Sequence, residues 1–164
     1  MRTDWVCNDT MSLILALLMP PNALAVELSC RYGLRIGDVL RLTTAQVVSG
    51  DFTIREEKTG KRKRIRLGGD IKKRLLAQAG EFYIFPHRLD PSKHRTRQAV
   101  YKDIKRAAKA LRLDGNIGTH TARKVYAVER FRVFGSLKRV QELLNHSDEA
   151  ITLIYALANQ LRRK

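Results

Sequence analysis

Cysteine is scarce in this chain of 164 residues, with Cys7 and Cys30 its only two. They form neither a CxxC pair nor a Cys/His metal spacing. A disulfide scaffold or a zinc site therefore has nothing to build on, and reduced intracellular thiols are expected. No apolar run reaches 18 residues, so no membrane span is expected. No linker, low-complexity tract or internal repeat interrupts the chain, which points to one domain. Acidic residues are also few, 16 against 32 lysines and arginines, leaving a net charge of +16. Such a surplus favours a polyanionic partner, most often nucleic acid and less often an anionic membrane face. A hydrophobic fraction of 44% with 29% charged residues excludes intrinsic disorder. The pattern also lacks the interleaved aromatics that stack RNA bases, which weighs against an RNA-binding protein.

One stretch imitates a secretory leader. Arg2, the apolar run Met11 to Met19 and the sequence Asn22-Ala23-Leu24-Ala25 resemble a charged start, a hydrophobic core and a cleavage site. Asp4 and Asp9 spoil the positive start, and the residues beyond continue as helix, so a cytoplasmic protein is expected.

The apolar spacing predicts a mostly helical chain. A short helix over Met11 to Met19 stops at Pro20-Pro21, and the next runs to about Arg31, where Tyr32-Gly33 breaks it. Leu34, Val39, Leu40 and Leu42 mark another short helix. Val47-Val48 and Phe52-Thr53-Ile54, with a turn between, read as strands, and a second turn at Lys58-Thr59-Gly60-Lys61 leads into Ile65 and Leu67. The result is a small antiparallel meander with one wet, basic face. Asp70 is the expected cap of a helix over Ile71 to Ala79, and Phe82 to Pro86 form an apolar plug before a surface loop, His87 to Thr96. Val100, Ile104, Ala107, Ala108 and Leu111 share one helical face, with Lys102, Lys105, Arg106 and Lys109 on the other. Further helices are expected around Val125 to Phe134, over Leu137 to Leu144, and around Ile151 to Leu157. The fold class is α+β, mainly α, with residues 1–10 as an N-terminal extension and 11–164 as the domain.

Taken singly, none of the polar residues compels a function. Arg35 follows the Gly33 break at a helix start, where a guanidinium can grip a phosphate with the helix dipole behind it, and Asp38 three residues on could orient it. Lys58 sits on the hairpin tip, and six of the nine residues from Lys58 to Arg66 are basic, which serves either phosphate gripping or delivery of a proton. His120 and Arg123, three apart at a helix start, share a face and could hold both non-bridging oxygens of one phosphodiester. His146 lies at a turn between helices. Tyr155 follows nine residues later, four after Ile151, a spacing that also suits a core aromatic.

Their order resembles the catalytic domain of the tyrosine recombinase (phage integrase) family, which carries Arg, a hairpin Lys, His-x-x-Arg, His or Trp, and finally Tyr. Around Arg35 the sequence reads GLRIGDVLRL, around Lys58 EEKTGKRKRIRL, and LLNHSDEAITLIY contains His146 and Tyr155. Each is similar to a family box, and the resemblance spans about Met11 to Leu157. Lys124-Val125-Tyr126 departs from the family's usual residues after the second arginine. Members usually carry an N-terminal helical domain that clamps the far side of the DNA, which this sequence does not show.

The resemblance implies a site-specific recombinase that cuts and rejoins double-stranded DNA through a 3′-phosphotyrosyl link to Tyr155. Arg35 and Arg123 would hold the phosphate, His120 would accept the proton of Tyr155 or donate to the phosphate, His146 would hydrogen-bond the same group, and Lys58 would protonate the leaving 5′-oxygen. Neither metal nor cofactor is implied. Backbone contacts are expected from Lys61, Arg62, Lys63, Arg64, Lys102 and Lys105. The implied assembly is a homo-tetramer on paired sites, monomeric or dimeric off DNA, with accessory proteins possible and a prokaryotic or phage-host cytoplasm, close to the nucleoid, as its location. Two other readings stand beside it: a catalytically idle DNA-binding accessory protein, and a relaxing enzyme like the type IB topoisomerases.

Overall fold

The computed structural model describes residues 3–145. In chain order these form α1 (Asn8–Leu17), α2 (Pro20–Tyr32), α3 (Ile36–Leu40), α4 (Thr44–Ser49), β1 (Asp51–Arg55), β2 (Arg62–Arg66), α5 (Gly69–Ala77), α6 (Arg97–Ala110), α7 (Thr121–Phe134) and α8 (Leu137–Leu143). The architecture is α+β and mainly helical, as the apolar spacing predicts. His146, the last expected helix and Tyr155 lie outside the described residues.

The expected meander is a two-stranded hairpin. Val47 and Val48 belong to α4, because Thr43 and Gln46 form a capping box: the Gln46 N–H donates to Thr43 Oγ1 (3.2 Å) and the Thr43 N–H donates to Gln46 Oε1 (3.0 Å). Two satisfied N–H groups at its start outweigh the strand preference of paired valines. β1 and β2 pair antiparallel, Phe52 opposite Ile65 and Ile54 opposite Lys63. Asp70 is not the cap of α5. Gly68 holds that place, and Asp70 lies in the first turn, where its charge still suits the helix dipole.

Two apolar clusters hold the elements together. The larger joins α1, α2, α3, the hairpin, α5 and α6 through residues such as Ile14, Leu28, Leu40, Ile65, Leu75, Phe85 and Ile104. The smaller, Tyr126, Ala127, Phe131, Val140 and Leu144, seats α8 on α7. The five residues predicted as the buried face of α6 pack into the core, Val100, Ile104, Ala107 and Ala108 fully and Leu111 partly.

Buried polar contacts fix the helix starts. Asp103 of α6 accepts from the Met19 N–H (2.8 Å) and from Asn22 Nδ2 (2.7 Å), pinning the start of α2. The segment before α1 is tied down as well: the Asp4 N–H donates to the Asn116 carbonyl (2.8 Å), and Thr121 Oγ1 donates to the Asp4 carbonyl (2.9 Å).

Candidate active site

The break after α2 positions the first arginine. Gly33 takes the left-handed conformation (φ +64°) and ends the helix, and Arg35 then occupies the extended N-cap position of α3. From there Arg35 Nη1 donates to Glu56 Oε2 at 2.7 Å. Asp38, whose spacing predicts that it orients Arg35, does not take that role. Arg35 lies outside the helical turn, so the three-residue spacing does not bring the two together. Asp38 instead accepts from Arg41 Nη2 (2.7 Å) and from the Glu57 N–H (3.0 Å), fixing the base of the hairpin turn to α3.

Glu56, which no motif singles out, is the hub of the site. It stands two residues beyond Ile54, on the inward side of the hairpin, with no exposed surface. Besides Arg35 it accepts from Thr59 Oγ1 (2.8 Å), and Arg123 Nη1 lies 3.9 Å from its other oxygen. Burial pushes the carboxyl upward. The bonds from Thr59 and Arg35 and the charges of Arg123 and Arg35 outweigh that, holding it below the ordinary value.

Arg123 enters from the first turn of α7 and is 2% exposed. Its Nη1 donates to the Gly33 carbonyl (2.5 Å) and its Nη2 to the Leu144 carbonyl (2.8 Å). Nε has no partner among the described residues. Burial above all, then the charge of Arg35, brings its pKa down to about 10, against the pull of Glu56 and Asp38. One guanidinium thus links the end of α2, the end of α8 and the buried carboxylate.

An open cavity of about 700 Å³ lies in front of this cluster, and Arg35, Lys58 and His120 all line it. Three stretches distant in sequence converge there: the start of α3, the hairpin turn and the residue before α7. Arg41, His94 and Arg97 add further positive or titratable groups to the wall. Nothing in the sequence gives these three a role: Arg41 stands between Leu40 and Leu42, and His94 and Arg97 sit within an unremarkable basic stretch. Arg123 stands behind the wall.

Two of the expected DNA contacts have other partners. Lys63 faces inward beside Ile65, and its ammonium donates to the Tyr32 carbonyl (2.7 Å) and the Leu143 carbonyl (2.8 Å). It also sits 5.6 Å from the centre of the Tyr126 ring. Lys63 is thus a clamp between the hairpin, α2 and α8, and a phosphate contact from it would have to displace these bonds. Lys105 Nζ donates to Asn116 Oδ1 (2.7 Å). Lys61, Arg62 and Arg64 are exposed, the last paired with Asp51 (2.7 and 2.8 Å), and Lys102 lines a separate cavity beside Arg88, Arg95 and Arg106.

Burial, reinforced by the charges of Arg123 and Arg35, brings the Lys63 pKa down to about 8 from 10.5. The unfolded chain then holds the extra proton between those two values, so folding is favoured by rising pH across that window. Relative to Lys63→Met, the native chain is expected to gain stability above about pH 8, by at most ~1.4 kcal/mol per pH unit, with no such trend below. Urea midpoints of both proteins from pH 6.5 to 9.5 check this; a difference that shrinks with rising pH contradicts it.

The comparisons with known proteins decide the family. The chain matches the Phage integrase family over residues 8–162. The chain belongs to that family. The probable integrase/recombinase YoeC of Bacillus subtilis (strain 168) is 30% identical to this family member over 127 residues, covering 74% of this chain and 69% of that one. The integrase of Escherichia phage P2 is 25% identical over 157 residues, which cover 94% of this chain but 43% of the relative. Among solved structures, a lambda integrase(75-356) dimer bound to a COC′ core site superposes with a TM-score of 0.72 at 26% identity, covering 99% of this chain and 60% of that one. A lambda integrase tetramer bound to a Holliday junction gives 0.71 at 25% identity, covering 91% of this chain and 48% of that one. This integrase family chain therefore spans about half to two thirds of the proteins it resembles.

Proposed function

We propose that this chain cuts and rejoins double-stranded DNA through a covalent link between Tyr155 and the 3′-phosphate at the break. The Tyr155 oxygen attacks phosphorus, the bond to the 5′-oxygen breaks, and that oxygen leaves as a hydroxyl with a proton from Lys58. His120 takes the phenolic proton, and His146 hydrogen-bonds a phosphate oxygen. Arg35 and Arg123 balance the charge that builds on the non-bridging oxygens. The tyrosyl ester conserves the phosphodiester bond energy, and attack by another 5′-hydroxyl reverses the step and exchanges strands.

The observation that carries this reading is the convergence of Arg35, Lys58 and His120 on one cavity, with Arg123 joined to them through Glu56. Arg35, Lys63 and Arg123 outnumber the buried carboxylates Asp38 and Glu56, so the cluster keeps a positive surplus that a phosphodiester would neutralise. The DNA-bound dimer and tetramer among the structural neighbours support DNA as the partner and a tetramer on paired sites as the working assembly. Lys61, Arg62, Arg64, Lys102 and Lys105 remain candidates for backbone contacts.

The test uses a pool of nicked duplexes of random sequence, in which the fragment beyond the cut diffuses away and traps the intermediate. Protein carrying DNA through denaturing gels is expected for the native chain and absent for Tyr155→Phe. Adduct that persists in the variant refutes the nucleophile. Salt-sensitive binding with no adduct at all makes the chain an idle binder, and relaxation of supercoils without junctions makes it a topoisomerase-like enzyme.

A further inference from the structure

Lys58 is exposed, on a turn with no core beneath it. The four residues Glu57 to Gly60 are closed by backbone bonds from the Gly60 N–H to the Glu56 carbonyl (2.8 Å) and from the Glu56 N–H to the Lys61 carbonyl (2.9 Å), with Gly60 in the left-handed conformation (φ +66°). Those bonds shape the turn, and Phe52, Ile54 and Ile65 anchor the strands below it in the core, but neither ties the turn itself to α3. The bonds that aim it are made by side chains. On one flank of Lys58, the Glu57 N–H donates to Asp38 Oδ1 of α3 (3.0 Å). On the other, Thr59 Oγ1 donates to Glu56 Oε2 (2.8 Å), the same oxygen that accepts from Arg35 Nη1 (2.7 Å). The residues on either side of Lys58 are thus tied to the element that carries Arg35, one of them through the oxygen Arg35 itself uses.

We propose that Glu56 and Thr59 are positioning residues that set the Lys58 ammonium against the same phosphate as Arg35, so that proton delivery and charge stabilisation act on one atom group. Neither residue touches DNA in this scheme. Glu56 is buried behind the cavity wall, and the Thr59 hydroxyl points its hydrogen bond back to it. The Thr59 oxygen also accepts from the Lys61 N–H (3.3 Å), so a hydroxyl here holds both limbs of the turn. The inference rests on the reading of Lys58 as the acid that protonates the leaving 5′-oxygen.

A substrate with sulfur in place of the bridging 5′-oxygen separates the two ideas, because a thiolate departs without a proton. Single-turnover cleavage of the oxygen and sulfur substrates is compared for the native chain, Thr59→Val, Thr59→Ser and Lys58→Ala. Thr59→Val is expected to slow cleavage of the oxygen substrate by about tenfold or more, to be close to native on the sulfur substrate, and to be restored by Thr59→Ser. Native speed in Thr59→Val on oxygen overturns the proposal. Equal loss on both substrates overturns it too, since the defect would then be general to the site. If Lys58→Ala is itself equally slow on both, the acid assignment fails, and that result is independent of how the threonine variants behave. Thr59 is exposed, so both of its variants are expected to melt as the native protein does.

Discussion

Arg35→Ala is expected to lower the rate of DNA cleavage by about 10²–10³, the usual loss when one charge-stabilising donor is removed, while DNA affinity changes far less. In the proposed function affinity is spread over many exposed phosphate contacts, of which this partly buried guanidinium is at most one. Arg123→Ala is expected to lose as much rate, with an additional loss of stability. Arg35 has one partner among the described residues, Glu56. Arg123 holds the Gly33 and Leu144 carbonyls as well as balancing the buried carboxylate. Removing it leaves two carbonyls without their donor and Glu56 with one cation fewer, which costs several kcal/mol by analogy with other broken buried pairs. Cleavage must therefore be measured below the melting transition of each variant. If both arginine variants bind and cleave as the native chain does, the clamp assignment is wrong.

The second large effect is expected at Gly33. A Cβ added there would fall 2.5 Å and 2.6 Å from ring atoms of Tyr126 and 3.1 Å from a methyl of Leu144, in a backbone conformation (φ +64°) that other residues avoid. Gly33→Ala is expected to cost about 2–5 kcal/mol, the sum of left-handed strain and overpacking. That corresponds to a drop in melting temperature of about 5–15 °C for a chain of this size. Gly135 is the internal control. It ends α7 at φ +62° with nothing within 4 Å of its Cβ position, so Gly135→Ala carries the strain alone, about 1–2 kcal/mol. Equal melting of the two variants would show that the Tyr126 ring yields without cost. The ring has little room to do so, because Lys63 lies 5.6 Å and Arg130 5.7 Å from its centre. A shift of the Gly33 backbone instead would move the carbonyl that Arg123 grips, so Gly33→Ala is expected to impair cleavage more than its stability loss accounts for.

Much of this arrangement was legible in the sequence. The i, i+4, i+7 spacing in α6 and the glycine break at Gly33 report local physics, and local physics decided them. Val47-Val48 misled because strand preference is weak beside a completed capping box at Thr43 and Gln46. The roles of Glu56 and Lys63 were masked by their neighbours: both lie in a run of charge, where solvated side chains are the norm. Alternation held the clue. Phe52 and Ile54 on one strand, with Glu56 continuing their alternation one residue past its end, and Lys63 and Ile65 on the other fall on a single face, so a carboxylate and an ammonium turn inward with the core. What alternation could not supply is the partner. That Glu56 meets Arg35 and Arg123, and that Lys63 reaches the ends of α2 and α8, depends on helices brought together from elsewhere in the chain.

The central claim is that Arg35 and Arg123 act on the charge of the phosphate being cut. Its most direct test replaces one non-bridging oxygen of that phosphate with a methyl group, which removes the negative charge and keeps the shape. Cleavage rates of the native chain, Arg35→Ala and Arg123→Ala are measured on the charged and neutral substrates. The account predicts that most of the deficit of each variant disappears on the neutral substrate, because a phosphate without charge no longer needs its cation. A deficit of the same size on both substrates would contradict it, leaving the arginines as supports of the fold alone.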